Sequence, residues 1–403
     1  MTLSRRHFLT RSAALGCSLA ASPLITPVTL AAAPGDNRLV VIILRGGMDG
    51  LDLLRPVGDP EFATLRPDAG TSLDLSGFHA GHPGLKPLMP LWARGELGFV
   101  QAVSTPYRDK RSHFDGQDLL EAGTGQDSLG QTRDGWLNRM LGLIPGASRQ
   151  TAYAVGRSDM LLARGDAPFA NWAPDAALTL SPQARLLLER VMHDDPLFRD
   201  ATLEAIDLSQ TDLRAAPGDI TGGNMLNAMA QSVQAARKGD LPDTIARFAA
   251  ERLRDDTRIA AFSLNGWDTH RNQHRGFANA LSRLTETIQT LHDSLGPVWA
   301  RTTVVAVTEF GRTARLNGSG GTDHGTGGAM VLAGGAVRGG QVLGNWPGLA
   351  EADLYARRDL APTRDLRAHL GWLGHALFGL DRQALETHVF PGVELGPNPG
   401  LTL

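Results

Sequence analysis

The sequence predicts an α/β fold, a doubly wound and mostly parallel sheet with helices on both faces and a helical insertion. Short apolar runs at 39–44, 97–103, 259–264, 302–307 and 329–333 are nearly unbroken by polar residues, as expected of strands covered on both faces. Segments with helical periodicity separate several of these runs, and that alternation is typical of βαβ units. The chain has 47 glycines scattered among apolar segments, which suits many tight junctions between strand and loop.

The elements follow in order. The run 39–44 is a buried first strand, and Arg45–Asp52 (RGGMDGLD) turns the chain at its carboxyl end. Residues 82–95 form a short helix stopped by Gly95, and 97–103 is the second strand. A polar loop leads to a helix from Phe114 to Ala122, with Ser112 near its N-cap. Residues 182–193 and 224–257 are helical by period, the latter interrupted at Gly239 and Pro242. No strong strand signal occurs between about 160 and 255, so 160–257 is expected to be the helical insertion. The strand 259–264, a helix at 276–294, the strands 302–307 and 329–333, and a last helix near 365–378 complete one domain spanning 34–403.

The N-terminus carries a separate signal. Ser4–Thr10 (SRRHFLT) matches the twin-arginine export pattern, an Ala-rich region follows, and Ala31–Ala33 offers a small-residue cleavage site. Residues 1–33 are therefore expected to be a signal peptide that engages the twin-arginine export machinery and delivers a periplasmic or secreted protein. Cys17 is the single cysteine and lies inside this segment, so the mature chain would hold neither disulfide nor thiolate metal site. Ala14–Cys17 loosely resembles a lipoprotein box, with its Leu one position late. No later run reaches the ~20 apolar residues of a membrane span. The formal charge of −3 argues against nucleic-acid partners.

Ligands of open α/β sheets bind beyond the carboxyl ends of the strands. Asp49 follows the first strand, Asp268 and His270 follow 259–264, Glu309 and Arg312 follow 302–307, and His324 opens the run at 329–333. Carboxylates and imidazoles gathered at strand ends suit a metal-assisted hydrolase. Each also has a plain structural role open to it: Asp49 in a turn, His270 in the core, Glu309 as a partner of Arg312, and Ser112 as an N-cap. His113 and Asp115 begin the helix after the second strand, beside Arg108, Lys110 and Arg111, where an oxyanion would be held well.

These motifs resemble the DUF1501 family, in the superfamily of alkaline phosphatase-like proteins that includes phosphatases, sulfatases and phosphoglycerate mutases. The stretches that carry the resemblance include Leu39–Asp52, Arg111–Gly123 (RSHFDGQDLLEAG), Gly266–Gln273 (GWDTHRNQ), Thr308–Thr313 (TEFGRT) and Gly321–Gly340. It spans nearly the whole mature chain. The resemblance implies a first metal carboxylate near Asp49, a nucleophile near Ser112, an Asp–His pair at Asp268 with His270 or His274, and a final metal imidazole at His324. It also implies Asp–His where this chain has Glu309 and Phe310, so the second metal position lacks an imidazole. A cysteine-derived formylglycine is excluded.

The reading is an exported metal-dependent hydrolase of small anionic phosphate or sulfate esters. Asp49, Asp268, His270, Glu309 and His324 are its candidate ligands for a divalent ion such as Zn, Mn or Fe. Ser112 is the candidate nucleophile, and Arg312 or Arg45 the candidate to steady transition-state charge. The alternative is a non-catalytic binding or assembly protein on a degenerate version of this fold.

Overall fold

The apolar runs are the central strands of the computed structural model, which describes residues 36–156, 160–173 and 241–403. In chain order the strands are β1 (Arg38–Arg45), β2 (Leu54–Arg55), β3 (Leu73–Asp74), β4 (Ala80–Gly81), β5 (Leu97–Ser104), β6 (Ala152–Val155), β7 (Ala170–Trp172), β8 (Ile259–Asn265), β9 (Thr302–Val307), β10 (Gly328–Ala333), β11 (Val342–Leu343) and β12 (Arg364–Asp365). The helices used below are α1 (Gly50–Leu53), α2 (His113–Ala122), α3 (Trp136–Gly142), α4 (Leu241–Arg254), α5 (Gln273–Leu295) and α6 (Leu366–Phe378). The main sheet has the order β11-β5-β10-β9-β1-β8-β6-β7, with β12 also on β5, while β2, β4 and β3 form a small separate sheet.

The doubly wound expectation holds. Along β1, Val40, Ile42 and Leu44 enter one core and Leu39, Val41 and Ile43 the other. The first core is closed by Phe248 and Leu253 of α4 and by Phe277, Leu281, Leu284 and Ile288 of α5. Met140 of α3 and Leu370, Leu373 and Leu377 of α6 close the second. Strand side chains alternate in direction while helices present one stripe, so each face of the sheet needs its own helical cover. Full burial of each such Leu, Ile or Val contributes roughly 1.5–3 kcal/mol.

The sheet is parallel except at β10, which runs antiparallel to both β5 and β9. The reversal decides where the site lies. The residues before β10, rather than after it, reach the carboxyl edge of the parallel strands, and His324 is among them.

Some elements differ from expectation. The helix expected at 82–95 is a 3-10 turn, Pro83–Leu88, followed by the helical turn Met89–Ala93, because Pro87 and Pro90 remove amide donors there. β6 and β7 extend the main sheet beyond β8, and β7 falls inside the expected insertion. β7 has three residues with an exposed Asn171 at its centre, too short to register as a strand pattern. The rest of that insertion before α4, residues 174–240, and the twin-arginine segment 1–33 lie outside the described residues. Among the described residues no helix is long and apolar enough to cross a membrane.

Candidate metal centre

Strand ends from across the sheet deliver side chains to one point. After β8, Asp268 presents its carboxylate there, and His270 Nε2 lies 3.0 Å from Asp268 Oδ1. His324, before β10, places Nε2 3.4 Å from Asp268 Oδ1 and 2.9 Å from His270 Nε2. His113, the first residue of α2, places Nε2 3.4 Å from Asp268 Oδ2. The ligand atoms of His113, Asp268 and His324 all lie within 4.8 Å of one another.

The far side of each ring decides what this cluster can hold. His113 Nδ1 lies 2.8 Å from Glu309 Oε1, His270 Nδ1 lies 3.2 Å from Asp323 Oδ1, and His324 Nδ1 lies 2.8 Å from the Arg111 carbonyl. Each of those partners accepts only, so each Nδ1 carries the proton and each neutral ring turns an Nε2 lone pair inward. Two lone pairs 2.9 Å apart repel unless a proton or a cation lies between them. A proton can serve only one pair. A cation can accept from three imidazoles and a carboxylate at once, and rings fixed at Nδ1 by carboxylates or carbonyls are the usual outer arrangement of metal-binding histidines. His113 Nε2 is also buried with no hydrogen-bond partner among the described residues. The residues therefore fit a metal ion.

The electrostatics favour an ionised Asp268 and a neutral His324. Burial pushes Asp268 up, but the hydrogen bond and charge of Arg312 outweigh it and hold the carboxyl below its ordinary range. Burial favours neutral His324, the form that binds metal. The hydrogen bond that His113 donates to Glu309 raises His113 against the opposing effect of burial, so the carboxylate makes this ring the more basic one. For Glu309 itself, burial is overcome by hydrogen bonds that include those of His113, Gln117 and the Gly46 amide, so it stays ionised.

Of the residues expected from sequence, the structure thus brings together Asp268, His270 and His324. Glu309 is fully buried one contact further out: it accepts from His113, Gln117 at 3.1 Å, the Gly46 amide at 2.9 Å and the Thr308 hydroxyl at 2.9 Å. Asp49 joins a different network. It caps α1, pairs with Arg66 at 2.9 Å and accepts from Gln273 at 2.8 Å. The Gly46–Gly47 turn carries the chain past the strand end before Asp49 is reached. Both glycines have positive φ, and a Cβ on Gly46 would stand 2.6 Å from the Asp268 amide, so only glycine lets β1 turn this close to the site. His274, the other imidazole considered, is exposed and lines a separate cavity with Arg55 and Arg66.

Arg312 is fully buried, and all three of its guanidinium nitrogens donate. They reach the carbonyls of Gly46, Gly47, Trp267 and Thr322, and Asp268 Oδ1 at 2.6 Å. It ties the turn after β1 to the turn after β8 and aims Asp268. Arg45 pairs with Glu121 at 2.6 Å and donates to Gln117 at 2.6 Å. Ser112 is the N-cap of α2, accepting from the Asp115 amide at 3.3 Å. Phe310 fills the place where the resemblance implies a second metal-binding imidazole and stacks on His113, with centroids 5.1 Å apart.

His113 is the inward-facing imidazole that sequence reasoning placed in an anion site instead. The helix start was legible. The phase of its first turn, which aims the ring at Asp268 instead of solvent, is set by the tertiary contact with Glu309.

The family described as "Protein of unknown function (DUF1501)" matches residues 98–389. No curated protein matches the chain. Among solved structures, the chain is similar to Ps i-CgsB in complex with k-i-k-neocarrahexaose, at 10% identity over 87% of this chain and 74% of that one, with a TM-score of 0.40. It is similar to the C-terminal periplasmic domain of EcEptC from Escherichia coli, at 10% identity over 90% and 88%, with a TM-score of 0.37. It is also similar to the alkaline phosphatase from the Antarctic bacterium TAB5, at 11% identity over 74% and 91%, with a TM-score of 0.35.

Proposed function

The chain belongs to the DUF1501 family, and from that premise we propose that it is a metal-dependent hydrolase of phosphate or sulfate esters. The observation that carries this reading is the donor set, in which Nε2 of His113, His270 and His324 converges on the Asp268 carboxylate while every Nδ1 is engaged elsewhere. Imidazole and carboxylate without thiolate suit Zn²⁺, Mn²⁺ or iron. Such an ion would supply positive charge and Lewis acidity next to a bound ester.

The chain's own residues supply the rest. Glu309, Asp323 and the Arg111 carbonyl fix the rings, and Arg312 fixes Asp268. Ser112 is our candidate nucleophile: it is half-buried at the start of α2, next to His113, and its side chain is held between the Asp115 amide and the Tyr107 hydroxyl. Phe310 in place of an imidazole favours one ion over two. The same observation, with Asp49 held by Arg66, is what favours the second reading, a binding protein that keeps the fold without the chemistry.

Elemental analysis and turnover of p-nitrophenyl phosphate and sulfate separate the two. The hydrolase reading expects bound metal and a Ser112→Ala variant that keeps the metal but loses turnover by roughly three orders of magnitude. Undiminished turnover in Ser112→Ala would retain the hydrolase and discard this nucleophile. A metal-free, inactive protein with a normal melting transition would leave the binding-protein reading.

Export by the twin-arginine route is part of the same proposal, supported by Ser4–Leu9 (SRRHFL) and the Ala-rich run after it. Replacing Arg5 and Arg6 together by Lys is expected to leave an uncleaved precursor in the cytoplasm on cell fractionation. Ordinary accumulation of that variant outside the cytoplasm would refute it.

A further inference from the structure

Beside the cluster, on the outer side of α2, an open cavity of about 640 Å³ is lined by Arg45, Phe114, Gln117, Glu121, Arg133 and Arg164 among others. Its carboxylates are at least partly engaged. Glu121 takes Arg45 on one oxygen and the Leu162 amide at 3.1 Å on the other, and Asp118 takes the Gly130 amide at 3.0 Å. The donors are not all engaged. Among the described residues Arg45 Nε is buried without a hydrogen-bond partner, and Arg133 makes neither hydrogen bond nor ion pair. With three arginines against two carboxylates in its lining, the cavity carries a surplus of cationic N–H, which fits an anion.

Two further features say what kind of molecule reaches it. The Phe114 side chain is 90% exposed, directly after His113, and lines the cavity, so it offers an apolar ring face there. A hydrogen-bonded chain also joins the two places: Arg45 to Gln117 at 2.6 Å, Gln117 to Glu309 at 3.1 Å, and Glu309 to His113 at 2.8 Å. His113 and Gln117 are one helical turn apart, about 5–6 Å along α2, so the cluster and the cavity adjoin neighbouring turns of one helix.

We propose that this cavity is a subsite for a second anionic group of the substrate. The ester then carries its reacting phosphate or sulfate at the histidine cluster, a ring or apolar spacer over Phe114, and a carboxylate, phosphate or sulfate on Arg45 and Arg133. This rests on the hydrolase reading only for the reacting end. The second contact is a binding property with its own readout.

The test uses non-hydrolysable probes on the purified Zn-loaded protein, by titration calorimetry. 4-Phosphonobenzoate is expected to bind on the order of tenfold more tightly than phenylphosphonate, the contribution of one charge-assisted contact. Benzene-1,4-diphosphonate distinguishes a phosphate-type second group from a carboxylate by which of the two binds more tightly. Raising the salt concentration should narrow the preference. Arg133→Glu should collapse it to about onefold, and Arg133→Lys should keep part of it. Arg133 is exposed, so both variants should melt with the wild type. Equal affinity for the one-anion and two-anion probes, a preference that survives Arg133→Glu, or no binding of any probe would overturn the subsite. Turnover of p-nitrophenyl phosphate without that preference would sink the subsite and leave the hydrolase, whereas a preference without turnover would do the reverse.

Discussion

His324→Ala is expected to lower metal affinity by well over a hundredfold and to leave the metal-free protein folded. His324 contributes one inward Nε2, and its ring is braced by the Arg111 carbonyl and lies 4.2 Å, centroid to centroid, from His113. Removing a ligand forfeits the bond and leaves the remaining donors with one position too few. Removing an outer partner only loosens a ring, and typically weakens binding by about 10–100-fold. A graded series follows. Glu309→Gln, which still offers an oxygen to His113 but loses the charge, should fall in that smaller range, with Asp268→Asn and His324→Ala beyond it. Chelator competition followed by elemental analysis gives the order directly. Retention of metal by His324→Ala at wild-type affinity would mean that the four donors do not share an ion.

Arg312→Met is expected to destabilise the fold by about 2–4 kcal/mol, chiefly because it leaves several buried carbonyls without a donor, the loss of the cation beside half-exposed Asp268 adding little. The melting temperature should drop by roughly 5 °C or more. Asp268 would also lose the contact that aims it, so metal affinity should fall in the same variant. Arg312→Lys keeps the charge but not the planar fork that spans four carbonyls and a carboxylate. It should recover only part of the stability. Denaturant unfolding of the metal-free proteins isolates this effect, and a loss under 1 kcal/mol would show that Arg312 is not the pin described above.

How much of this was legible in the sequence depends on the range of the interaction concerned. The runs that became β1, β5, β8, β9 and β10 are apolar on both faces, so burial alone announced them. β6 and β7 are short and lie at the margin of the sheet, where nothing local distinguishes a strand from a loop. Asp268, His270 and His324 could be found because each adjoins an unmistakable strand. Glu309 adjoins one too, yet its side chain points back under His113, and Asp49 is carried off by a turn of two glycines. One residue of rotation separates a ligand from the group behind it, and apolar pattern does not encode that rotation. The direction of β10 was equally silent: a run of Ala, Met, Val and Leu reads the same whichever way it is traversed.

That reversed strand has a consequence for how the protein assembles. Residues 308–327 leave the sheet and return to it at the same edge, so Glu309, Arg312, Asp323 and His324 sit on one closed excursion between neighbouring strands. The entropy of closing such a loop grows only with the logarithm of its length, so this portion can take shape early from nearby contacts. His113 meets Glu309 across 196 positions, and Asp268 meets His324 across 56. These long-range approaches dominate the contact order of the site and should form late. An ion that needs all four donors would therefore act as a clasp, tightening only when three remote stretches of chain have found one another and adding its binding free energy to the finished topology alone.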